Sequence, residues 1–340
     1  MSSDNCKDGA SKSNNDVCEV VGKLENLKTT EDNNNSICAN CGKEGSSDEI
    51  NNTCNKCKQV MYCNAACKKK HRHKHKQQCE EHVRLAAERA AKLYDEKLFK
   101  QPPPNEDCPI CFIQLPTLGS GSKYHSCCGK KICGGCNFAP LYDNQGNAVD
   151  DHKCPFCRTL KPISTEEAVE RDKKRMEANN AESMYNFGYY YSEGMQTGLP
   201  QDHGKALDLW HRAGDLGCSK AYNSIGHAYE HGRGVEVDMK KAKQYYELAA
   251  MGGDVQARYN LAFTELKAGN LNRALKHFMI AVRSGDDKSL KEIHTLYSEF
   301  HLVKKEDYTK ALQLYQSYLC EIKSKQRDEA ASAREDYRYY

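Results

Sequence analysis

Between residues 38 and 157 the sequence sets thiols and one imidazole in regularly spaced pairs. The first block reads Cys38-x2-Cys41, Cys54-x2-Cys57, Cys63-x3-Cys67 and His75-x3-Cys79; the second reads Cys108-x2-Cys111, the doublet Cys127-Cys128, Cys133-x2-Cys136 and Cys154-x2-Cys157. A two-residue gap lets a turn present two thiolates to one ion, and a three-residue gap does so from one turn of a helix. Zinc takes four such ligands in a tetrahedron, so eight ligands per block imply two ions each, about four in all. His71 and His73 stand close to His75, but only His75 has the helical spacing to Cys79. No cysteine comes with the base and orienting group that a nucleophile requires, so no catalytic residue is named.

Composition agrees with a metal reading. The chain has 340 residues, 19 of them cysteine, with 39% hydrophobic and 29% charged residues. No stretch approaches the roughly 18 consecutive apolar residues of a membrane span, and Met1 to Thr30 lacks the basic start and apolar run of a secretory leader. A cytoplasmic or nuclear chain is therefore expected, and in a reducing compartment clustered thiols read as ligands before disulfides. The net charge of +3 is too small to imply nucleic acid. The run KKKHRHKHK at 68–76 reads as the solvated face of a helix, because no aromatics are interleaved for base stacking. A nuclear-import patch is its sharper alternative.

The elements that must position these ligands follow from the flanking sequence. Residues 1–36 are rich in Asn, Ser, Asp and Lys and read as a disordered tail. The first metal block occupies 37–80, a helical linker 81–104 that stops at Pro102-Pro103-Pro104, and the second block 105–160. Ser164 with Glu167 forms a capping-box pattern that opens a connecting helix over 164–180. From 181 to 322 the chain repeats as about four helix pairs: Lys205-Ala206, Lys241-Ala242, Arg273-Ala274 and Lys310-Ala311 recur, each followed four residues after its alanine by an aromatic, Trp210, Tyr246, Phe278 and Tyr315. Gly217, Gly253 and Gly285 lie eleven residues after the first three alanines. Small residues let helices approach and the aromatics fill between them, which predicts a helix-turn-helix solenoid. Residues 323–340 read as a polar tail. The fold class is mainly α, two small cross-braced zinc-binding modules followed by an α-helical repeat solenoid. Cys218 and Cys320 read as small apolar helix residues.

Three resemblances extend this. The spacing of the first block, with Tyr62 before Cys63, resembles the MYND-type zinc finger, which implies that the first and third pairs hold one ion and the second and fourth the other. Arg72 stands where that family commonly has the Trp used to bind proline-rich peptides. The repeats resemble the Sel-one-like family, relatives of the tetratricopeptide repeat, most closely from Ala221 through Gly232-Arg233-Gly234-Val235, Asp238 and Lys241-Ala242 to Ala249-Ala250 and Gly253. The second block resembles a RING-type finger, with Lys130 where the family has a ligand His. Protonated lysine cannot bind zinc, so Cys127 completes the site, with His125 as the alternative. That resemblance implies that Ile110, Pro155 and Arg158 meet a ubiquitin-conjugating enzyme and act by positioning it.

The expected function is a zinc-binding protein–protein interaction adaptor whose second finger recruits a ubiquitin-conjugating enzyme while the repeats bind substrate. A non-enzymatic scaffold and a chromatin-associated regulator are the alternatives. Other proteins are the expected partners, with no membrane and with nucleic acid disfavoured.

Overall fold

The computed structural model describes residues 36–46, 50–117, 119–141, 147, 149, 152–194 and 198–340. Apart from Ser36, the expected disordered tail lies outside these residues. The chain divides into two compact units, 1–92 and 93–340.

In the first unit two antiparallel two-residue pairs precede a long helix. β1 (Ser36–Ile37) pairs with β2 (Glu44–Gly45), and β3 (Asn52–Thr53) pairs with β4 (Met61–Tyr62). α1 (Ala65–Leu98) then carries Cys67, His75 and Cys79, so the helix expected as a linker from 81 begins inside the first metal block. Only His75 and Cys79 are buried along residues 72–83, and Lys69, Lys70, Arg72, Lys74 and Lys76 face solvent. Among the described residues, Ile50 and Tyr62 are the buried apolar residues beside the cysteines, too small a core to fold a segment of this length by itself.

The second unit is a solenoid with the second metal block attached. The last turn of α1 belongs to it: Leu98 is buried among Ala242, Tyr246, Ala249, Ala257 and Leu261. Tyr94 donates to the Glu247 carboxylate at 2.6 Å, and Arg273 pairs with Asp95 at 2.6 Å. Arg258, 1% exposed, donates to the Leu98 carbonyl, an acceptor that the end of a helix leaves unsatisfied.

The metal block contributes β5 (Ser122–His125), antiparallel to β6 (Lys130–Cys133), and the short α2 (Gly134–Phe138). α3 (Thr165–Glu177) starts at Ser164, whose hydroxyl accepts from Glu167 N while Glu167 accepts from Ile163 N. Helix pairs follow: α4 (Ala181–Glu193) with α5 (His203–Asp215), α6 (Ser219–His231) with α7 (Met239–Met251), α8 (Val255–Lys267) with α9 (Leu271–Arg283), and α10 (Asp287–Ser298) with α11 (Lys305–Ile322).

The periodic residues explain this geometry. A side chain on Gly188 would fall 2.6 Å from Trp210 Nε1, and one on Gly226 would fall 2.7 Å from the Tyr246 ring, so the small residue of one helix admits the aromatic of the next. Trp210 is buried and donates to the Tyr185 carbonyl at 3.2 Å, as a core residue rather than part of an aromatic cage. Gly217, Gly253 and Gly285 all have φ near +93°, and each is followed by an N–H that closes the turn onto the preceding helix: Cys218 to Ala213, Asp254 to Ala249, Asp286 to Ala281. This left-handed closure is the position that favours glycine. Asp202 and Asp238 accept from the first N–H groups of α5 and α7.

Glu265 ties two repeats together. Its side chain is 1% exposed and accepts from Lys243 at 2.9 Å, Arg273 at 3.2 Å and Asn270 at 2.8 Å. Burial alone would raise its pKa, but the bonds from Lys243 and Asn270, the Lys243 charge and the bond from Arg273 hold it below the usual carboxylate value. A carboxylate with a lowered folded-state pKa contributes stability above its unfolded pKa, and this is lost as pH falls through the folded value. Glu265→Gln is therefore expected to destabilise the solenoid at pH 7 by about 1–3 kcal/mol, with the difference shrinking below about pH 4.3. Urea unfolding followed on Trp210, the single tryptophan, reads this in the solenoid itself; a pH-independent difference would refute it.

The polar-tail expectation for 323–340 is corrected. α12 (Lys325–Ala333) and the turn at Glu335–Tyr337 pack against α2, and Arg327, Ala330, Tyr337 and Tyr339 are buried. The segment reads as polar because Arg and Tyr carry much of its burial, presenting apolar bodies with polar tips that find partners inside.

Candidate metal centres

Four of the five C-x2-C pairs sit on the same kind of turn. The residue after the second cysteine, Gly42, Lys58, Phe112 or Arg158, has φ between +53° and +73° and donates its N–H to the carbonyl of the first cysteine at 2.9–3.0 Å. This turn aims both thiols at one point and throws the following side chain outward, which leaves Phe112 77% exposed and Arg158 on the surface. The remaining pairs stand at or on helices: Cys63 just before α1 and Cys67 in its first turn, His75 and Cys79 one turn apart on it, and Cys133 as the N-cap of α2, where its sulfur accepts from Cys136 N at 3.4 Å. Cys127 and Cys128 occupy the turn between β5 and β6.

The donors converge in four sets: Cys38, Cys41, Cys63 and Cys67; Cys54, Cys57, His75 and Cys79; Cys108, Cys111, Cys133 and Cys136; and Cys127, Cys128, Cys154 and Cys157. Within each set the donor atoms lie within 4.8 Å of one another. In both blocks the first pair joins the third and the second joins the fourth. A zinc tetrahedron with Zn–S near 2.3 Å has S···S edges of about 3.8 Å. Observed separations are 3.7 Å for Cys41–Cys63, 3.6 Å for Cys54–Cys79, 3.8 Å for Cys111–Cys133 and 3.9 Å for Cys128–Cys154. His75 Nε2 lies 3.2 Å from Cys57 Sγ. The residues thus fit zinc in both donor type and spacing.

The acid–base chemistry of the thiols agrees. A hydrogen bond from the Cys63 backbone draws the Cys38 thiol down to about 6, while sharing a proton with the Cys67 thiol holds Cys63 up at about 12. Burial, with a bond to Cys54, raises Cys79 to about 11. Four neighbouring thiols resist ionising together, and a divalent cation among them removes that resistance.

His71 and His73 stand outside the four sets; His71 Nδ1 lies 3.2 Å from the Tyr62 hydroxyl. His125 also stands outside: its Nε2–H donates to Asn137 Oδ1 at 2.7 Å, and Asn137 in turn donates to the Ile132 and Cys133 carbonyls. Cys127 Sγ, by contrast, is 3.4 Å from Cys157 Sγ. Cys127→Ser is accordingly expected to lower bound zinc by one ion per chain and His125→Ala to leave it unchanged, as read by metal analysis of the dialysed protein. The reverse pattern would assign the ligand to His125. Of the cysteines outside the blocks, Cys218 is buried at the start of α6 and Cys320 is exposed on α11, so the apolar reading holds only for Cys218. Cys6 and Cys18 lie outside the described residues.

Comparison with known proteins bears on both parts. The MYND finger family matches residues 38–79, and the Sel1 repeat family matches 181–218, 219–254 and 297–317. The chain carries a MYND finger and Sel1 repeats. The α8–α9 pair lies between the matched stretches, and its two helices pack against each other much as those of the preceding pair do. A component of an ERAD-associated E3 ubiquitin-protein ligase, HRD3B of Arabidopsis thaliana, is 32% identical over 102 residues, 30% of this chain and 16% of that protein's length. A Sel1 repeat protein from Oxalobacter formigenes is 25% identical, with a TM-score of 0.41 over 59% of this chain and 72% of its own. The protective antigen c5321 of uropathogenic Escherichia coli, which displays an SLR fold, is 23% identical, with a TM-score of 0.39 over 51% and 37%.

The Sel1 solenoid carries one feature that periodicity did not reveal. A groove of about 410 Å3 spans α4 to α8, lined by Tyr189, His227, Arg233, Asn223, Gln256 and Asn260 among others. Gln256 donates to Asn260 and Asn260 to Asn223, each at 3.1 Å, so side-chain amides run along the groove from one repeat to the next. Such amides present both donors and acceptors, the complement of a peptide backbone. Among the described residues no helix is long and apolar enough to cross a membrane.

Proposed function

We propose that this chain is a zinc-dependent adaptor holding about four ions, two in each finger, in which the second finger recruits a ubiquitin-conjugating enzyme and the Sel1 solenoid binds the protein to be modified. The observation that carries the reading is the exposure of the tips of two zinc turns. Ile110, 37% exposed, lies between Cys108 and Cys111; Phe156, beside half-buried Pro155, lies between Cys154 and Cys157. Arg158 follows on the surface. Both turns are stiffened by ions, so they offer apolar contacts at little further entropic cost. The cross-braced ligand order resembles a RING finger, and HRD3B is named as a component of a ubiquitin ligase. Such a module performs no covalent step; it holds the thioester of the conjugating enzyme in a reactive pose.

The experiment is discharge of ubiquitin from a panel of charged conjugating enzymes by the full zinc-loaded chain, comparing wild type with Ile110→Ala and Arg158→Ala. Acceleration that both substitutions abolish, with zinc content unchanged, is expected. No acceleration across the panel would leave a non-enzymatic scaffold, in which both fingers and the solenoid only bind proteins. A cytoplasmic or nuclear location is proposed on the same grounds as the reduced thiols. Exposure of the basic face at 69–76 is compatible with nuclear import, and unchanged distribution on neutralising Lys68 to Lys70 would count against that.

A further inference from the structure

Arg327 is a buried cation far in sequence from the metal block it touches. It is 1% exposed, and its guanidinium donates to the Gln114 carbonyl at 2.8 Å, the Ile113 carbonyl at 3.1 Å and the Ile322 carbonyl at 2.7 Å. Its Nη2 also points at Cys111 Sγ, 3.8 Å away. No carboxylate is among these partners. The nearest concentration of negative charge a metal-loaded chain would offer is the set Cys108, Cys111, Cys133 and Cys136: four thiolates around one divalent cation carry a net charge of −2.

The surrounding contacts show a built fit rather than a casual one. A side chain on Gly135 would meet the Arg327 backbone N at 3.0 Å, and one on Gly134 would meet the Tyr337 side chain at 3.2 Å, so α2 admits the C-terminal segment only because these residues lack Cβ. Ser120 donates to the Arg338 carbonyl at 2.6 Å, and Lys123 pairs with Asp336 at 2.8 Å.

We infer that residues 325–339 form an intrachain clasp that completes this four-thiolate site, with Arg327 as a positioning residue that bonds the Cys111 sulfur and offsets the site's charge. Partners in the outer shell of a metal site orient its ligands and tune its affinity. Retention of that ion and docking of the C-terminal segment are then one equilibrium, so each stabilises the other. The inference rests on the second finger holding metal, as proposed above.

The test follows zinc leaving the full chain into a chromophoric chelator. In R327Q one of the four ions is expected to leave about 10- to 100-fold faster than in wild type. In R258Q, which removes the other fully buried arginine but touches no thiol, release should be unchanged. Fewer than four ions in the wild type would sink the metal reading and the clasp with it; four ions with wild-type release in R327Q would sink the clasp alone. Should R327Q fail to fold, hydrogen exchange on the wild-type chain decides. Amides of 325–339 are expected to lose protection when zinc is stripped while those of 203–251 keep theirs, and protection that persists at 325–339 would overturn the inference.

Discussion

Stripping zinc from this protein is expected to unfold the first finger while leaving the Sel1 solenoid folded. In the finger, strands of two residues and a few buried apolar side chains hold together residues whose donors converge on two points. A structural zinc ion contributes about 10–16 kcal/mol to a small finger, more than so little apolar burial can replace. The solenoid needs no ion: Met184, Trp210, Ile225 and their neighbours form one apolar cluster, and Phe278, Val282, Ile293 and Ala311 form another. Hydrogen exchange with and without chelator should show protection lost throughout 36–64 and at the start of α1, and kept across α5 to α9. Protection that survives in 36–64 would mean that zinc is not what folds the finger.

The second large effect is expected from Gly285→Ala, compared with the same change at Gly217. Both glycines have φ of +93°, so alanine is strained at either place, by about 1–2 kcal/mol. At Gly217 the added methyl would meet nothing within 4 Å. At Gly285 it would lie 2.1 Å from Tyr318 Cζ, in the middle of a buried ring. Tyr318 cannot swing aside freely, because its hydroxyl accepts the Thr117 N–H at 2.8 Å and its ring packs with Ile322 and Tyr339. Overpacking of this kind adds about 1–3 kcal/mol, so Gly285→Ala should cost about 2–5 kcal/mol against about 1–2 for Gly217→Ala. Thermal unfolding of the two variants measures the difference; equal losses would show that the Tyr318 contact yields without cost.

Much of this molecule was legible in its residues because the determining signals are local. The spacing of Cys38 and Cys41, or of His75 and Cys79, reports a turn or a helix directly, and the recurrence of Ala206, Ala242 and Ala274 reports where helices approach. Glycines at 217, 253 and 285 mark positions that ordinary residues occupy only with strain. Harder to read were signals without a period. Arg327 and Tyr339 look like the polar end of a chain until α2 covers the first and Tyr318 and Ile322 the second, since a guanidinium is as compatible with water as with three backbone carbonyls. The helix likewise begins at Ala65, ahead of the boundary expected at 81, because the sequence from 65 to 81 carries neither strong stop nor strong start.

By itself, then, the sequence determined the metal chemistry, the pairing of helices and the repeat period, all consequences of covalent spacing and backbone geometry. Only the tertiary structure decided that Cys127 rather than His125 joins Cys128, Cys154 and Cys157, that Arg258 caps the end of α1, and that the C-terminal segment closes on the second finger. The first depends on which turns meet across 30 residues, and the other two on surfaces that meet across more than a hundred residues of chain. A buried arginine finds its acceptors only where such surfaces have already come together.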